Sequence, residues 1–121
     1  PEKLIYKFIS KKLSFSYDNQ QSLVLNSANI LIPKVEGLTI INVMGFLNSK
    51  LFQFVYHKIF GDMKILKGNL LNLKFPLITQ EQSSEFDRII TTGKQELIDD
   101  YVFNLYNLTD NQINYIIEEI N

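Results

Sequence analysis

Lys3-Leu4-Ile5-Tyr6-Lys7-Phe8-Ile9, followed shortly by Leu13-Ser14-Phe15-Ser16-Tyr17, alternates polar with apolar residues in two runs rich in β-branched and aromatic side chains. A period of two sends successive side chains to opposite faces, so each run reads as a half-buried strand. The short polar Ser10-Lys11-Lys12 between them fits a tight turn, which makes the pair an antiparallel hairpin. Asp18 to Ser22 is turn chemistry. Leu23 to Leu25 and Asn29 to Ile32 read as two more short strands, the second stopped by Pro33. The opening third is therefore expected to be a small, mostly antiparallel sheet.

The period then changes. Val43, Phe46, Leu47, Leu51, Phe54, Val55 and Ile59 recur at steps of three and four, with Thr39 as a candidate N-cap and Gly61 as a stop. Ile40, Ile41, Met44 and Phe52 widen the stripe, so one long helix over 40–60 should be buried on more than one side. Leu70 to Pro76 reads as short and extended. Thr79-Gln80-Glu81-Gln82 is a capping box opening a helix that runs to Leu105, weakest at Gly93. Thr109-Asp110-Asn111-Gln112 is a second box, opening a terminal helix. The expected class is α/β in the broad sense, more narrowly α+β: a small sheet packed on a long central helix, followed by two C-terminal helices.

At 121 residues and 45% hydrophobic content the chain is one domain, 1–121, with enough apolar residues for a real core. Net charge is −1, but its distribution is uneven. The first 75 residues hold ten lysines against four acids, and the last 46 hold nine acids against Arg88 and Lys94. A basic half points to an anionic partner, with nucleic acid the leading class. The acids of the last third are expected on the solvent faces of helices.

Several chemistries are excluded. Cysteine is absent, which removes disulfides and thiolate metal sites, and a single histidine, His57, removes a histidine zinc cluster. The five glycines form no Gly-x-Gly phosphate loop, and there is no Glu-x-Lys nuclease pair. Asp99 and Asp100 are helix neighbours that point apart, a poor metal pair. His57 reads as a packed or rim residue. The apolar stretch 40–60 is interrupted by amides and lysines, so no membrane span is expected, and cysteine-free composition agrees with a cytoplasmic location. The chain opens on Pro1 rather than Met, which reads as a C-terminal fragment of something longer.

Three stretches taken in order carry a likeness to a known family: the strand pair 3–9 and 13–18; Gly45-Phe46-Leu47-Asn48-Ser49-Lys50-Leu51-Phe52-Gln53-Phe54-Val55-Tyr56, leading to Lys64-Ile65-Leu66-Lys67 and Leu73-Lys74-Phe75-Pro76-Leu77; and Val102-Phe103-Asn104-Leu105-Tyr106-Asn107-Leu108-Thr109-Asp110-Asn111-Gln112-Ile113. Together they resemble the TaqI-like C-terminal specificity domain, the target-recognition part of adenine-specific DNA methyltransferases and of fused restriction–modification enzymes. The resemblance implies a non-catalytic domain that binds double-stranded DNA beside the catalytic methyltransferase part of its own parent chain. It implies no cofactor here and S-adenosylmethionine for the parent, in keeping with prolines only at 1, 33 and 76 and hence no Asn/Asp-Pro-Pro-aromatic motif. Phe75-Pro76-Leu77 followed by Glu81-Gln82 also looks like type I restriction specificity subunits. A reading from another class remains, a protein-interaction module docking by its apolar helix 40–60.

On the DNA reading, the candidates for phosphate contacts are Lys7, Lys11, Lys12, Lys34, Lys58, Lys64 and Lys67. Base edges call for amides and hydroxyls, and Ser14, Ser16, Asn19, Gln20, Gln21, Asn26 and Asn29 cluster in the strand-turn region beside Lys11 and Lys12. Asn and Gln suit adenine, which points to an A·T-containing target. Asn48 and Ser49, among bulky apolar neighbours, are expected to serve packing rather than reading. A domain pI near 5.8 and a lone arginine are unusual for an autonomous DNA binder, and fit half of a clamp whose other half adds phosphate contacts.

Overall fold

The computed structural model describes residues 2–9, 12–19, 29–61, 70 and 73–121. The hairpin forms as the alternation requires. β1 (Lys3–Ile9) and β2 (Lys12–Asp18) pair antiparallel over seven positions, from Lys3 opposite Asp18 to Ile9 opposite Lys12. β3 (Asn29–Leu31) pairs antiparallel with the other edge of β1, giving the order β2-β1-β3. Leu4, Tyr6, Leu13, Phe15 and Leu31 point inward and are buried. The expected strand at Leu23–Leu25 and the turn at Ser10-Lys11 lie outside the described residues.

The central helix is broken in two. α1 (Ile40–Asn48) and α2 (Lys50–Phe60) meet at Ser49, whose backbone is extended at φ −69°, ψ 152°. The Ser49 hydroxyl donates to the Phe46 carbonyl at 2.6 Å and accepts from the Phe52 amide at 3.2 Å, closing one helix and opening the next. A short hydroxyl side chain competing with the helical backbone is a known source of such a break. The Lys50 amide, freed by it, donates to Oδ1 of Asp99 at 2.8 Å.

The C-terminal part holds three helices rather than two. α3 (Gln80–Thr91) and α4 (Gln95–Leu105) are separated at Gly93, which takes φ 72°, a left-handed conformation natural to glycine at a helix end. α5 (Asp110–Ile120) follows. Thr79 and Thr109 both form the expected capping boxes, and Thr39 caps α1 with Asn42 closing the reciprocal bond.

The layers stack in a definite order. α1 packs on the inner face of the sheet through β1 and β2, and on its other side against α3; α2 packs on α4 and α5. Gly45 permits the close approach of α1 to α3, since a Cβ there would stand 2.4 Å from Ile90 Cδ1 and 2.8 Å from Phe86 Cζ. Phe46 sits at the junction, fully buried, with ring centroids 5.4 Å from Phe52, 6.2 Å from Phe75 and 4.7 Å from Phe86. Phe75 anchors the segment Lys74 to Thr79, which is neither helix nor strand. Asn42, also fully buried, bonds Ser83 and Asp87 of α3 and so ties the two helices by polar contacts. The Tyr56 hydroxyl is buried without a hydrogen-bond partner among the described residues, and burial, with Tyr6 adding to it, pushes its pKa up to about 12.

Candidate nucleic-acid interface

Register decides what the outer face of the sheet presents. Because Leu4, Tyr6, Leu13 and Phe15 point inward, Lys3, Ile5 and Lys7 of β1 and Lys12, Ser14, Ser16 and Asp18 of β2 share the opposite face. Lys7 stands opposite Ser14, and Ile5 opposite Ser16. Side chains directly across an antiparallel pair lie roughly 5 Å apart at Cβ, so these residues form one continuous patch. Lys7, Lys12 and Ser16 are exposed and Ser14 is half-buried. Neither Lys7 nor Lys12 has a carboxylate within ion-pair distance among the described residues.

One end of the patch is neutralised. Lys3 and Asp18 form an ion pair at 2.9 Å with side chains only 10% and 13% exposed. Next to it, Tyr17 donates from its hydroxyl to Glu2 at 2.5 Å, an arrangement that raises the tyrosine pKa. The free positive charge of the ribbon therefore lies toward Lys7 and Lys12.

The remaining candidates scatter. Asn19 is exposed just past β2, and Asn29 opens β3 opposite Tyr6. Lys34 is exposed at an open depression of about 970 Å³ whose other charged residues are Glu2, Glu36 and Asp87, a poor setting for phosphate. Lys58 lies on the α5 side of α2, 2.7 Å from Glu119 and 5.7 Å from the Phe54 ring centroid. That hydrogen bond raises the lysine pKa and, with a second bond from Tyr115, holds Glu119 below the usual carboxylate range. Lys11, Gln20, Gln21, Asn26, Lys64 and Lys67 lie outside the described residues.

Asn48 and Ser49 serve structure. The Asn48 side chain accepts from the Phe15 amide at 2.8 Å and donates to the Phe15 carbonyl at 2.9 Å, reproducing across the open edge of β2 the bonds that a further strand would make. Gln53 adds a bond to the Leu13 carbonyl at 3.1 Å. The edge is thus closed to strand addition at these positions, and the ribbon is fixed to the helical layer. Sequence reasoning missed the role of Asp99. It is buried (4% exposed), bonds the first amide of α2 and lies 3.5 Å from the Lys50 ammonium, whereas Asp100 beside it is exposed. Asp87 of α3 is half-buried and accepts from Thr39 and Asn42.

The TaqI-like C-terminal specificity domain family matches residues 1–77, which is β1 through the segment after α2. The chain belongs to this family. Neither a curated protein nor a solved structure gives a significant match. The family assigns the specificity domain to DNA target recognition in restriction–modification enzymes, and such a domain is non-catalytic by itself. The match covers the whole sheet and the α1–α2 pair, so the exposed Lys7, Lys12, Ser14 and Ser16 all fall inside it. Among the described residues no helix is long and apolar enough to cross a membrane, and no three His, Asp or Glu residues gather as metal ligands.

Proposed function

We propose that the chain is the double-stranded-DNA recognition domain of an adenine-specific DNA methyltransferase or fused restriction–modification enzyme, and that the outer face of the β1–β2 ribbon meets DNA. The major groove admits a two-stranded β-ribbon. Lys7 and Lys12 would supply phosphate contacts, and Ser14 and Ser16 would reach base edges. Lys34 and Lys58, set among acids, would add less. The observation that carries this reading is the register, which gathers two lysines with no ion-pair partner among the described residues and two hydroxyls on one face of a family-matched ribbon.

The methyltransferase parent is favoured by the 102–113 tail, and the type I specificity subunit is the runner-up on the Phe75-Pro76-Leu77 segment. S-adenosylmethionine and the methyl-transfer chemistry then belong to the remainder of the parent chain. The interaction-module alternative loses its main support, because Val43, Phe46, Leu47, Leu51, Phe52 and Tyr56 are buried in the domain's own core. Selection on a pool of random duplexes at low salt tests the proposal. One enriched motif is the expected result; retention of duplexes without enrichment, or no retention even when the chain is joined to the catalytic part of its parent, would contradict it.

A further inference from the structure

Ser16, Ile5 and Ile30 stand side by side across β2, β1 and β3 on the outer face, since Ile5 is in register with both neighbours. Ser16 is exposed, Ile5 is half-buried and Ile30 is 36% exposed. Two branched aliphatics paired on the outer face are not needed to fill the core, which is supplied from the inner face by Leu4, Tyr6, Phe15 and Leu31. The row next to them is the polar pair Lys7 and Ser14. The outer face therefore presents a hydroxyl beside an apolar pair, flanked by a cation.

In the major groove thymine shows the O4 acceptor beside a C5 methyl group, and no other standard base carries a methyl. A hydroxyl donor next to aliphatic side chains complements that edge. We infer that the Ser16–Ile5–Ile30 row reads thymine, with the Ser16 hydroxyl donating to O4 and the two isoleucines packing on the 5-methyl group. This inference rests on the assignment of the outer face to DNA.

Deoxyuridine differs from thymidine only in lacking the methyl group, so it isolates the apolar contact. The experiment takes the motif that this chain selects and replaces its thymines one at a time by deoxyuridine. Binding by the unaltered chain should fall about fourfold at one thymine, the value of one buried methyl group. Ile5→Thr, which keeps the β-branched shape but shortens one of the two apolar partners of the methyl group, should show a smaller difference between the thymine and uracil duplexes, with circular dichroism as the check on folding. A selected motif lacking thymine, indifference to uracil at every position, or an undiminished discrimination in Ile5→Thr would overturn the inference. In each of those cases motif-specific, salt-dependent binding would leave the DNA-facing assignment standing. Absence of salt-dependent binding would overturn both.

Discussion

Phe46→Ala should lower the stability of the domain by about 3–5 kcal/mol, the range for truncating a buried aromatic ring. The ring is fully buried and touches Phe52 of α2, Phe75 of the connecting segment and Phe86 of α3. Relaxation cannot easily fill the gap, because Gly45 already brings α1 against Ile90 and Phe86 with no space to spare. Domains of this size are stable by about 5–15 kcal/mol, so the loss is a large share of the total. Denaturant titration should show a lower midpoint with an unchanged slope, and the melting temperature should fall on the order of 10–20 °C. A loss under about 1 kcal/mol would mean that the junction between the sheet-bearing half and the C-terminal helices is not packed as described.

Asn48→Ala should cost about 2–3 kcal/mol. Its amide satisfies both the N–H and the C=O of Phe15, and removing it strands two partly buried backbone groups. Water reaches this edge in part, which keeps the cost below the sum for fully buried groups. Asn48→Asp should be no rescue, since a carboxylate accepts from the amide but cannot donate to the carbonyl. Loosening β2 from α1 should also weaken DNA binding, because Lys12, Ser14 and Ser16 are carried by that strand. Denaturant midpoints of the two variants check the first part. If Asn48→Ala matched the parent in stability, the amide would not be acting as a surrogate strand.

What could be read in the sequence was local. Alternation in 3–9 and 13–17 gave the strands and their faces, and Thr39, Thr79 and Thr109 opened helices where their neighbours required. The parity of Lys7, Lys12, Ser14 and Ser16 follows from the same alternation, so the patch is partly legible in the sequence. What stayed hidden depends on distant partners. The break at Ser49 is completed by Asp99, and a solvent-face reading of the acids could not anticipate a carboxylate turned inward to cap another helix. Lys58 looked like any basic residue until α5 brought Glu119 to it. The Gly93 break was signalled as a weak point, but the decision between a kinked helix and two helices was made by its φ of 72°.

The salt dependence of DNA binding by the Lys7→Ala/Lys12→Ala double variant tests the central claim most directly. Each phosphate contact contributes about −0.9 to the slope of log affinity against log salt. Loss of both lysines should reduce the slope by roughly two and weaken binding about tenfold more at 50 mM than at 200 mM salt. Lys94→Ala, at the start of α4, should leave the slope unchanged. An unaltered slope in the double variant, or an equal fall in the control, would contradict the placement of DNA on the outer face of the sheet.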